Sequence, residues 1–203
     1  MLNLNFSDFL IENKLILENQ KINNYQISGT RIEDVNIQEC NFENSVFENI
    51  FEENSVFIEK CTFINCKFSD IFKGDDLLLV MMNNTFKNCV FENVSYNVNS
   101  GQSEVVDSEF SECIFRNIEI KGDLSFIDLT FRKSCVEFFC YEGNQILGNR
   151  FLDMNINNSV FRGALLDNRI ERGIFRNVKL IGWNKDNIFI DCDTSGVIFN
   201  DVF

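Results

Sequence analysis

Large apolar residues return at every fifth position along much of this chain. Ile22, Ile27, Ile32, Ile37, Phe42 and Phe47 are each five apart. Phe57 keeps that phase across a stretch blurred by Phe51 and Glu52, and Phe63 and Phe68 resume it one residue late. The interval recurs in Phe86, Phe91 and Tyr96, in Phe110, Phe115 and Ile120, in Phe151, Ile156 and Phe161, and in Ile170, Phe175 and Leu180. A period of five is neither the 3.6 of an α-helix nor the 2 of an extended strand. It predicts a chain that turns a corner every five residues.

The other positions of the period are just as regular. Two residues before the large apolar residue stands a small one: Cys40, Ser45, Ser55, Cys61, Cys66, Cys89, Ser108, Cys113, Ser159 and Gly173. Two residues after it stands Asn: Asn44, Asn49, Asn65, Asn88, Asn93, Asn117 and Asn177. Asn tolerates the left-handed conformation that a sharp corner needs. The residue directly after the large one is polar or charged, as at Glu43, Glu48, Lys87, Glu92, Arg116, Arg162 and Arg176. One slot is thus large and inward, one small and inward, one a corner, and one faces water.

A small residue, any residue, a large Leu or Phe and two polar-tolerant positions is the pattern of the pentapeptide-repeat family, which this chain resembles over residues 19–203. The resemblance implies an all-β chain, a right-handed quadrilateral parallel β-helix of about eight coils. Residues 1–18 lack the repeat and are expected to cap the first coil, whose open end would otherwise present unpaired backbone groups.

The block Phe-x-Asn-Ser/Cys-x-Phe recurs at 42–47, 63–68, 86–91 and, with Glu112 replacing Asn, 110–115. Its steps of 21, 23 and 24 residues exceed four pentapeptides. Loop insertions are therefore expected near 73–84, 97–107, 121–130, 138–150 and 182–196. Equivalent residues of stacked coils lie about 4.8 Å apart. Phe42, Phe63, Phe86 and Phe110 should form one column, with Phe131 its next rung; Phe47, Phe68, Phe91 and Phe115 should form another. Cys66, Cys89 and Cys113 should stack as a third, as small core residues rather than ligands.

The composition fits one slot filled many times: 23 Phe against 3 Tyr and 1 Trp, with no Pro and no His. The net charge of −13 disfavours nucleic acid and anionic membrane and favours a protein partner with a basic surface. The charge is uneven. The run from Glu33 to Glu59 holds Glu33, Asp34, Glu39, Glu43, Glu48, Glu52, Glu53 and Glu59 with no base inside it, and forms the candidate binding surface. The N-terminus carries neither a basic stretch nor a long apolar run, and the longest apolar run, Leu77 to Met82, is too short to span a bilayer, so a cytoplasmic location is expected.

Candidate chemistry is sparse. Eight cysteines occur without a Cys-x-x-Cys and without histidine, so no zinc site and no cofactor is expected. Gly74-Asp75-Asp76 fits an exposed turn better than a metal pair, and the register of Cys135, Cys140 and Cys192 is open. No phosphate loop or nucleophile elbow is present, so the chain is not expected to be an enzyme. Near the C-terminus Phe199 and Phe203 would face water unless that end met a second copy, which predicts a homodimer.

Three functions fit. Some pentapeptide-repeat proteins imitate B-DNA in width and charge and bind type II topoisomerases, giving quinolone resistance; the acidic run suggests that role with DNA gyrase or topoisomerase IV. The alternative is a general interaction scaffold whose loops, above all 73–84 and 97–107, make the contacts. A β-helix enzyme acting on polysaccharides is the third, and the five-residue phase argues against it.

Overall fold

The computed structural model describes residues 10–11, 14–28, 34–50, 54–72 and 77–201. These residues form strands and turns only, and almost every strand pair is parallel. The chain coils into a solenoid with four walls, each a column of short strands, and the register shows how the sequence builds them.

The second wall is the simplest. Its three-residue strands begin at Lys21–Asn23 and end at Ile188–Ile190, and their central residues align as Ile22, Phe42, Phe63, Phe86, Phe110, Phe131, Phe151, Ile170 and Phe189. The expected Phe131 rung is in place. The coil length therefore runs 20, 21, 23, 24, 21, 20, 19 and 19 residues. Coils are longest between Phe63 and Phe110 and tightest at the C-terminal end. The third wall aligns Ile27, Phe47, Phe68, Phe91, Phe115, Val136, Ile156 and Phe175. The fourth, described from Val94 onward, aligns Tyr96, Ile120, Tyr141, Phe161, Leu180 and Phe199.

The first wall departs from the expected pattern. Its strands are Lys14–Glu18, Asp34–Gln38, Ser55–Glu59 and Leu78–Met82, continued by residues 103–106, 124–127, 145–147, 164–166 and 184–185. Each early strand sends two residues inward, two apart: Leu15 and Leu17, Val35 and Ile37, Val56 and Ile58, Leu79 and Met81. This corrects three expectations. Phe57 is not an inward rung, because Ile58 holds the phase that leads to Phe63. The segments expected as insertions contain strands of this wall, with register shifts between Val98 and Ser103, between Lys121 and Ser125 and between Glu142 and Gln145. Lys14–Glu18, expected in the cap, pairs with Asp34–Gln38 as wall, while Leu10–Ile11 runs antiparallel beside it.

The corners follow the Asn signal. Asn44, Asn65 and Asn88 share one corner column and Asn49, Asn93, Asn117 and Asn177 another, all with φ between 50° and 54°. In this conformation the corner N–H points along the axis and donates to the next coil, as Asn65 does to Lys87 O. Side chains tie the same corners together: Asn65 Nδ2 donates to Asn44 Oδ1 and Asn88 Nδ2 to Asn65 Oδ1.

The small inward slots close the core. Before the third wall they hold Ser45, Cys66, Cys89, Cys113, Ser134, Met154, Gly173 and Cys192, linked by backbone bonds such as Val90 N to Cys66 O and Ile114 N to Cys89 O. Before the second wall, Asn84, Asn149 and Asn168 are buried, and each amide reaches the backbone of adjacent coils. Those polar groups are satisfied; left unpaired, each would cost about 1–3 kcal/mol.

Candidate interaction surface

In a solenoid, outward residues of successive coils line up as surely as inward ones. The acidic run of residues 33–59 is thereby dispersed over different walls. Asp34 lies on the first wall, accepts a 2.9 Å hydrogen bond from Ser55 Oγ and sits 3.1 Å from Lys14 Nζ; these contacts hold its carboxyl below the usual range. Glu59, on the same wall, pairs with Lys60 at 2.9 Å. Glu39 is an exposed corner residue. Glu43 is on the second wall between Asn23 and Ile64, and Glu48 on the third between Ser28 and Ser69. Glu33, Glu52 and Glu53 lie outside the described residues, as do Asp75 and Asp76. The compact run in sequence does not make a single carboxylate stripe in space.

A different acidic column exists, and sequence proximity does not reveal it. The corner between the first and second walls carries Asp107, Asp128, Asp167 and Asp186 at positive φ, with Gly148 in the same series. Their backbone N–H groups bond along the axis, Asp107 to Ile127 O, Asp128 to Leu147 O and Asp167 to Lys185 O. Asp107, Asp128 and Asp167 have no ion-pair partner among the described residues. Several acids elsewhere are matched: Arg172 clamps Asp153 through Nε and Nη2 at 2.6 and 3.0 Å, Lys67 meets Glu92 at 3.2 Å, and Arg162 meets Glu142 at 2.8 Å.

Next to that column the outward face of the first wall carries an apolar line. Met82, Val106, Ile127, Leu147 and Leu166 are register partners in one outward line. A second outward line on this wall runs Phe57, Val80, Glu104, Ser125, Gln145 and Ala164. Trp183 precedes Asn184, the register partner of Leu165, so it continues the second line; it is 60% exposed.

The remaining candidates take defined places. Cys40, Cys61, Cys66, Cys89 and Cys113 are buried small-slot residues, and all eight cysteines are free thiols. The Cys113 thiol and burial push Cys89 up to about 12, and contact with Cys89 and burial likewise push Cys66 up. Cys135 and Cys140 are half-buried and point outward on the third and fourth walls; Cys192 fills the small slot beside Gly173. Phe199 is half exposed in the last coil, and Phe203 lies outside the described residues. A cavity of about 240 Å³ opens among Phe161, Leu165, Phe175, Phe189 and Phe199. Among the described residues no group of three His, Cys, Asp or Glu side chains is placed to hold a metal, and no helix is long and apolar enough to cross a membrane.

No protein-family model matches the sequence, and no curated protein matches it. Among solved structures, the chain is similar to HetL, a pentapeptide-repeat protein involved in heterocyst differentiation regulation in the cyanobacterium Nostoc, with 10% identity, a TM-score of 0.41 and coverage of 90% of this chain and 89% of that one. It is also similar to QnrB1, a plasmid-mediated fluoroquinolone resistance protein, with 14% identity, a TM-score of 0.40 and coverage of 92% and 90%. The coils described above, four-walled and parallel, make this chain a β-solenoid.

Proposed function

We propose that this chain is a non-catalytic scaffold that binds a protein partner through its outer walls. One observation carries this reading. The interior takes up stacked apolar residues coil after coil, yet the first wall turns a row of apolar residues outward, Met82, Val106, Ile127, Leu147 and Leu166, with Trp183 60% exposed near its end, and contiguous apolar surface marks a contact site. The free thiols fit a reducing, cytoplasmic setting. Self-association through the last coil, where Ile198 and Phe199 are half exposed, belongs to the same reading; Phe199→Glu would lower the sedimentation coefficient of a dimer and leave that of a monomer unchanged. The test of the scaffold itself is affinity capture from native lysate with the tagged full chain. A partner retained in stoichiometric amount supports it, and elution of the chain alone at every salt concentration argues against it.

The second reading is imitation of DNA toward gyrase or topoisomerase IV. It rests on the aspartate corner column, whose carboxylates recur along the rod as phosphates do along a duplex. A supercoiling assay with purified gyrase, with and without a quinolone, tests it. Inhibition or drug rescue at low-micromolar protein, lost on reversing Asp107 and Asp128 to Lys, supports it; no effect in large molar excess removes it for that enzyme.

A further inference from the structure

We infer that the first wall, from Met82 to Trp183, is a docking face for a cationic amphipathic helix of a partner protein. This rests on the scaffold reading and names the surface and the chemistry of what it binds.

The wall offers two complementary features side by side. Its outward line of Met82, Val106, Ile127, Leu147 and Leu166 carries no charge between Glu59 at one end and Lys185 at the other. The next residue in each coil is the corner, so Val106-Asp107, Ile127-Asp128 and Leu166-Asp167 place an aspartate beside an apolar rung again and again. Asp107, Asp128 and Asp167 have no ion-pair partner among the described residues; Glu43 and Glu48 on the second and third walls also form none, but their outward lines carry Lys87 and Arg132, and Arg116 and Arg176, in place of an apolar row. Apolar surface edged by spare negative charge selects a partner with an apolar stripe edged by Lys or Arg.

The backbone decides between a helix and a strand. Every wall strand spends its N–H and C=O groups on the coils above and below, as in Leu165 N to Trp183 O. The flat of the wall therefore offers side chains alone. A strand laid there would bury unpaired backbone groups, while a helix brings its own satisfied. The five apolar rungs span four strand spacings, about 19 Å, which is about 13 residues of helix. Beside the apolar line runs the row of Val80, Glu104, Ser125, Gln145 and Ala164, whose Glu104 adds a further carboxylate, and Phe57 and Trp183 lie toward its two ends.

The test uses the full chain and a fluorescein-labelled 18-residue Leu/Lys amphipathic peptide, with a scrambled peptide of equal composition and a Leu/Glu analogue as controls, read by fluorescence anisotropy. The Leu/Lys peptide should bind at least tenfold more tightly than the scrambled one. D107K/D128K/D167K should weaken it at least tenfold and favour the Leu/Glu analogue. I127S/L147S should weaken both helical peptides, with circular dichroism confirming the fold. E48K/E92K, on the third wall, should change little. Equal affinity for the scrambled peptide, or equal loss in E48K/E92K, would overturn the inference. A photo-crosslinking residue placed in turn at Leu147, Lys87, Arg116 and Lys121, one per wall, separates the two levels in cells: adducts only away from Leu147 remove the first-wall assignment and keep the scaffold, and adducts at no wall remove both.

Discussion

The ring of Phe86 lies face to face on that of Phe63, with centroids 4.8 Å apart and planes 4° apart. Parallel register dictates this, because aligned side chains in neighbouring strands repeat at the strand spacing of about 4.8 Å. That separation lies in the range of favoured offset-stacked pairs. The second column adds edge-to-face contacts: Phe68 meets Phe63 at 5.3 Å and 72°, and Phe86 at 5.9 Å and 72°. Phe63→Ala should therefore cost about 3–5 kcal/mol, the range for a fully buried ring. Phe151→Ala, at a half-buried rung of the same column, should cost clearly less. Urea denaturation of both variants checks the order; equal losses would show that the column is not the main support.

Asn65 and Phe138 occupy equivalent kinds of corner with opposite chemistry. Asn65 has φ 54° and takes part in a ladder with Asn44 and Asn88. Phe138 has φ 55°, is 54% exposed, and stands in a corner column with Asn117 and Asn158. A left-handed conformation costs an ordinary residue about 1–2 kcal/mol. Asn65→Ala should lose about that much and Asn65→Gly less. Phe138→Asn should do the reverse and raise the midpoint of thermal unfolding. A stability drop in Phe138→Asn would mean that the exposed ring is held by contacts worth more than the strain.

The parts of this architecture that use one residue type per slot were legible in the sequence. The Phe columns and Asn corners are of that kind, and Phe42, Phe63, Phe86 and Phe131 align as the period requires. The first wall was not legible. Its inward pairs at alternate positions carry no single large residue, and its outward Phe57 and Val80 counterfeit core. The spread of the acidic run over several walls was not legible for a related reason. Acids close in sequence, such as Glu43 and Glu48, go to different walls, while Asp107 and Asp128 become neighbours through coil closure.

Tyr141 gives the fold a pH limit. Its hydroxyl lies 2.6 Å from Leu124 O and 2.9 Å from Gln145 O and is buried, which pushes its ionisation well above the usual tyrosine value. The unfolded chain ionises this phenol near pH 10. The stabilisation is thus complete below about 10 and is lost as the pH rises through the folded value, because only the unfolded state releases the proton. Absorbance at 295 nm should show Tyr141 resisting titration until the chain unfolds. Tyr141→Phe should lower stability by about 1–2 kcal/mol at neutral pH, through the carbonyls left unpaired, and flatten the alkaline limb.

The thiols should divide by slot. Cys40, Cys61, Cys66, Cys89 and Cys113 are buried, and burial together with neighbouring thiols keeps Cys61, Cys66 and Cys89 protonated at neutral pH. The thiolate is the nucleophile, so these three should resist iodoacetamide; the Cys40 and Cys113 thiols, held below the usual value by Cys61 and Cys89, are kept from it by burial alone. Cys135, Cys140 and Cys192 are only half-buried and should be the ones alkylated. Peptide mapping of the native chain should find adducts at those three alone, and at all eight in denaturant. Native labelling at Cys66 or Cys89 would mean that the coils open locally in that region.

Gly163 and Gly182 mark where two coils approach too closely for a side chain. Gly163 has φ 132°, and a Cβ there would lie 2.8 Å from Gly143 O; at Gly182, with φ 125°, it would lie 2.4 Å from Gly163 O. Both obstacles are backbone, so neither can swing aside. The conformation alone costs a non-glycine residue about 1–3 kcal/mol, and the clash adds to it. Solenoid coils interact only with their neighbours, so damage should stay local. Gly163→Ala should speed amide exchange in residues 143–185 while leaving Phe63 and Phe86 protected. Loss of protection along the whole chain would show instead that the coils fold as one cooperative unit, with the Phe columns and the glycine corner sharing a single stability.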